Sequence, residues 1–71
     1  MKILFATKEL GYRGTPRALA NYARILHNGN EVLIWGWEEG GETAETLIGE
    51  GFSVIVGQDA EEDALRFSPD I

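Results

Sequence analysis

Cysteine is absent from this chain of 71 residues, which excludes disulfide bridges and any thiolate zinc site. A single histidine is too little for a histidine-built metal centre, so no metal is expected. Cations are scarce as well: six Lys and Arg against twelve Asp and Glu leave a net charge of −6. A nucleic-acid binder needs a broad basic surface to neutralise phosphates, and that class is set aside. Long apolar runs are also missing. After Met1-Lys2 the chain is apolar only from Ile3 to Ala6, too short for a secretory signal core or a membrane span. The expectation is a cytoplasmic protein. A chain this small buries only roughly 60% of the surface its unfolded form exposes. Without disulfides or metal, its stability must come from close packing or from a partner.

What is present suits a folded domain, with 44% hydrophobic and 25% charged residues. The charge is unevenly placed. Between Arg24 and Arg66 there is no Lys or Arg, while most of the acids fall there. Lys8, Arg13 and Arg17 cluster near the start.

Periodicity then assigns the elements. Ile3-Leu4-Phe5-Ala6 lacks polar alternation, as expected of a strand buried on both faces of a parallel sheet. A loop over Thr7 to Gly14 follows, so that about eight residues part strand from helix. Thr15 suits the N-cap of the helix and Pro16 its first turn. Leu19, Tyr22, Ala23 and Leu26 share one face of this helix, and Arg17, Asn21, Arg24 and Asn28 the other. Gly29 suits its end, with His27 beside the negative pole. Val32 to Trp35 reads as a second strand and Glu38 to Glu42 as an acidic turn. Ala44 to Glu50 reads as a short helix with Ala44, Leu47 and Ile48 inward and Gly51 ending it. Phe52 to Val56 is a third strand. Asp59 and Glu62 form a capping box for a helix over Ala60 to Arg66, which Ser68-Pro69 stops.

The order is βαβαβα, an α/β fold: one truncated Rossmann-like domain, residues 1–71, with a three-stranded parallel sheet in the order 3-2-1. In the doubly wound order 3-2-1-4, a fourth strand lies beside the first. Here the edge formed by Ile3, Leu4 and Phe5 is expected to stand open, a liability that another strand must cover. The partner is either the remainder of a longer chain or a second copy.

Ligands of such sheets bind beyond the carboxyl ends of the strands, where strand order reverses. That places the loop Gly11 to Arg17 at the site. Gly11 and Gly14 permit close backbone approach, and the helix start at Thr15 favours anions. Arg13 and Arg17 could clamp a phosphate, with Lys8 as a point charge. The plainer reading is a glycine turn with solvated cations. Tyr12, Trp35 and Trp37 could carry a sugar ring, although aromatics more often complete a core or an interface. His27 reads as a surface residue. Glu38, Glu39 and Glu42 read as a wet loop, not a cation site.

Five segments carry a family resemblance. Met1-Lys2-Ile3-Leu4-Phe5, the loop Gly11-Tyr12-Arg13-Gly14-Thr15-Pro16-Arg17 and the helix Ala18-Leu19-Ala20-Asn21-Tyr22-Ala23 together resemble the opening of family 4 glycosyltransferases of the GT-B fold. Gly29-Asn30-Glu31-Val32 is similar to the family's "Gly-His-Glu-Val" at the start of strand two. Phe67-Ser68-Pro69-Asp70-Ile71 looks like the "Pro-Asp-Ile/Val" that opens strand four. The chain departs from the pattern with Arg13-Gly14 where Gly-Gly is usual and Pro16 where Glu is common. The resemblance implies an acceptor-side amino-terminal domain, with a nucleotide sugar as donor ligand. It supplies no catalytic residue, because the family's donor-binding domain and its histidine-bearing loop have no counterpart here. The isolated chain is expected to be inactive.

Two other functions compete. A dinucleotide-binding domain would need G-x-G-x-x-G directly after the first strand and an acid after the second. Glu38 could be that acid, but Gly11 and Gly14 lack the middle glycine. A non-enzymatic assembly module would use the open first-strand edge.

Overall fold

The computed structural model describes residues 1–11 and 15–70, with the side chains at positions 15 and 16 left undescribed. The elements are β1 (Lys2–Glu9), α1 (Thr15–Leu26), β2 (Glu31–Glu39), α2 (Glu42–Gly49) and β3 (Ser53–Val56). A 3-10 turn over Gln58–Ala60 then leads into α3 (Glu61–Arg66). The fold is α/β, as the periodicity implies.

Both long strands outrun their apolar runs. β1 continues through Thr7 because its backbone keeps pairing with β2, as far as Glu9 opposite Glu39, across an irregularity between Thr7 and Glu9. That pairing draws Glu38 and Glu39 into β2, where their exposed side chains cost nothing, so the expected acidic turn shrinks to Gly40-Gly41. The gap between β1 and α1 is correspondingly five residues, 10–14, and not eight.

The helices bury part of the expected stripe, Leu19 and Ala23 in α1 and Ala44 and Leu47 in α2, and leave the rest of it exposed. In α1 the buried residues are Leu19, Ala20 and Ala23, while Tyr22 is 62% exposed and Leu26 is exposed too. Two alanines let the helix axis lie close over the sheet, which turns the bulky tyrosine outward. In α2 the buried set is Thr43, Ala44 and Leu47, and Ile48 is 57% exposed. The wet face of α1 is as expected: Arg17, Asn21, Arg24 and Asn28 are all exposed.

Helix ends follow local chemistry. α1 stops at Leu26, whose carbonyl accepts a bond of 2.7 Å from the Asn30 side-chain amide. α2 ends in a Schellman arrangement: Gly51 N–H donates to Ile48 O at 3.0 Å and Phe52 N–H to Leu47 O at 3.0 Å. Gly51 has φ +95°, a left-handed conformation that suits glycine. The capping box at α3 does not form. Ala60, with helical φ and ψ, stands where the cap should be, and no side chain caps the helix. The 3-10 turn supplies the continuity instead, with Ala60 N–H bonded to Gly57 O at 3.2 Å.

The sheet is parallel throughout, with β2 central between β1 and β3. Partners in register share a face. Val32 and Ile34 of β2, with Phe5 and Val54 beside them, meet Leu19, Ala20, Ala23, Ala44, Leu47 and Phe52 beneath α1 and α2. Leu10, fully buried, completes this core. The opposite face carries Leu33, Trp35 and Trp37, and the 3-10 turn and α3 approach it. There the Trp35 indole N–H donates to Gly57 O at 2.8 Å.

The outer side of β1 is different. Glu31 N–H reaches Met1 O at 2.9 Å, so Met1, Ile3 and Phe5 present their backbone groups to β2. Alternation turns those of Lys2, Leu4 and Ala6 outward. Lys2 alone is met: Asp70 N–H donates to its carbonyl at 2.7 Å, and its own N–H donates to the Asp70 carboxylate at 2.8 Å. Among the described residues no strand pairs with Leu4 or Ala6. Ile3 is buried, while Leu4 and Phe5 are half-buried. None of the helices among the described residues is long and apolar enough to cross a membrane.

Candidate functional site

The carboxyl ends of β1 and β2 are joined by their loops. Leu10 N–H donates to Glu39 O at 3.2 Å, and Leu10 O accepts from Thr43 N–H at 3.1 Å and Ala44 N–H at 3.4 Å. The Thr43 hydroxyl donates to Gly11 O. The Thr43 and Ala44 N–H groups in the first turn of α2 are therefore taken by the Leu10 carbonyl and not available to an anion. This contact requires glycine at 41. A Cβ there would lie 2.7 Å from Leu10 O and 2.9 Å from Gly11 Cα. These bonds bridge the carboxyl ends of β1 and β2.

The expected phosphate clamp is partly placed. Arg13 and Gly14 lie outside the described residues, as do Tyr12 and the side chain of Thr15. Arg17 stands exposed on the first turns of α1. It borders a hollow of about 240 Å³ between α1 and α2, with Asn21, Arg24, Glu42, Thr43 and Thr46. Lys8 turns to Glu38, Nζ to Oε2 3.7 Å, with both side chains largely in water. Gly11 has a neighbour that the sequence pattern did not flag: a Cβ on it would fall 2.8 Å from Glu9 Oε1. The signal was an acid two residues before the glycine, and a carboxylate there weakens the loop's pull on anions.

The other named residues sit apart. Trp35 and Trp37 meet edge to face, centroids 6.2 Å apart at 65°. They border a hollow of about 230 Å³ with Gln58 and Glu61, on the sheet face away from α1. His27 is exposed and leans on Phe52, centroids 4.6 Å apart. A hollow of about 750 Å³ opens at the amino ends of β1 and β2 among Met1, Lys2, Glu31, Ser68 and Asp70. It lies at the opposite end of the sheet from the loop glycines, and in open parallel sheets that end does not carry ligand chemistry.

One ion pair perturbs its groups. Arg24 Nε and Nη2 donate to the Glu50 carboxylate at 2.8 and 2.7 Å, tying α1 to the end of α2. These bonds hold the Glu50 carboxyl below its usual range, with desolvation opposing and the guanidinium charge adding, and raise Arg24 correspondingly. Among the described residues no three acids and histidines stand together as metal ligands. No family model matches the chain, nor does any curated protein or any solved structure.

Proposed function

We propose that the chain is the acceptor-side, amino-terminal part of a nucleotide-sugar-dependent glycosyltransferase of GT-B type, inactive by itself. The reading rests on the resemblance of its β1, loop and α1 segments. The observation that carries it furthest is the Asp70–Lys2 exchange on the outer side of β1. A chain arriving there from α3, across the face opposite α1 and α2, is positioned to lay a fourth strand beside β1 and complete the order 3-2-1-4. The Gly11 to Arg17 loop then borders the crevice where strand order reverses. Stabilisation of the departing diphosphate would fall chiefly to a second domain.

Titration separates this from its rivals. The isolated chain should release no nucleoside diphosphate from nucleotide sugars, yet bind them weakly, with Arg17→Ala reducing the heat. Binding of NAD in their place would favour a dinucleotide domain. The incomplete glycine pattern of Gly11 and Gly14 stands against that reading. An assembly module is favoured by the same open edge. It would be supported by self-association without affinity for either ligand.

A further inference from the structure

We propose that the corner between Trp35 and Trp37 is a binding site for an alkylated ammonium ion, an inference independent of the glycosyltransferase reading. The two indole rings stand at 65° with centroids 6.2 Å apart. A cation held in that angle lies within the ~6 Å reach of both ring faces that the interaction requires. Trp35 is anchored, because its indole N–H is bonded to Gly57 O at 2.8 Å. Trp37 is 37% exposed and presents the open side.

The rest of the lining selects for positive charge. Glu61 contributes a carboxylate, which only accepts, and Gln58 an amide. With the Trp35 N–H already bonded, donors for an anion are few. Glu38 and Glu39 follow Trp37 directly, and Asp59 and Glu62 flank Gln58 and Glu61 in sequence. A phosphate or a nucleotide diphosphate would be repelled. Size agrees: about 230 Å³ is below the ~300 Å³ at which drug-sized sites begin, and suits a small cation head.

Both tryptophans of the chain border this corner, so tryptophan fluorescence, excited selectively over the two tyrosines, reports on it. Choline chloride is titrated against its uncharged isostere 3,3-dimethylbutanol and against glucose. The expected result is a saturable change with choline, binding about tenfold or more tighter than the isostere. Trp37→Ala should abolish it with the circular dichroism unchanged, and Glu61→Gln should weaken it several-fold. If Trp37→Ala fails to fold, Glu61→Gln carries the comparison. Equal affinity for the isostere would reduce the corner to an apolar patch and overturn the proposal. Saturation by glucose in place of choline, or by none of the three, would overturn it as well.

Discussion

Gly41 holds two loops at a distance that no other residue allows. Its backbone, at φ +156°, passes so close to Leu10 and Gly11 that a methyl group has nowhere to go. Gly41→Ala should therefore destabilise the fold by about 1–3 kcal/mol in urea unfolding, the scale of a strained backbone position. Leu47 is fully buried in the core beneath α1 and α2. Leu47→Ala should cost about 2–5 kcal/mol, which in a domain this small would leave much of the chain unfolded. The Arg24–Glu50 pair carries a pH signature. Glu50 has its folded-state pKa lowered, so its contribution is present above the unfolded carboxyl's range and disappears as pH falls through the folded value. Melting curves of the parent and Glu50→Gln should differ at neutral pH and converge in acid below the ordinary carboxylate range. A gap that persisted there would remove the ion pair from the account.

Elements were legible in kind and less so in extent. The three strands and three helices follow from apolar period, and Gly51 marks the end of α2 for the reason given by its turn chemistry. Gly51→Ala, forced into a left-handed conformation, should cost roughly 1–2 kcal/mol in the same unfolding measurement. The misplacements share a cause. Glu38 and Glu39 look like loop residues until β1 offers them backbone partners, which is a tertiary fact. Tyr22 and Ile48 fit the apolar period, yet small Ala20, Ala23 and Ala44 set the approach of helix to sheet and rotate the larger side chains out. The capping box over Asp59 and Glu62 lost to a preceding 3-10 turn, which leaves no extended residue to act as cap.

At the scale of the whole molecule, one sheet face is covered by two helices and the other is thinly covered, and among the described residues no strand pairs with the outer edge of β1 or of β3. The candidate loop was legible as a glycine and cation pattern. What no pattern could supply was the bonding of the β1 and β2 carboxyl ends through Leu10, Gly11 and Thr43. Those contacts join residues up to 32 positions apart. On the outer side of β1, Asp70 engages Lys2. Such an edge invites another strand. Amide hydrogen exchange on the dilute chain tests this most directly. The amides of Ile3 and Phe5, which face β2, should be protected, while those of Leu4 and Ala6 should exchange nearly as fast as in an unstructured peptide. Equal protection of all four in a monomer would mean that β1 is paired on both sides, and the half-built sheet would be wrong.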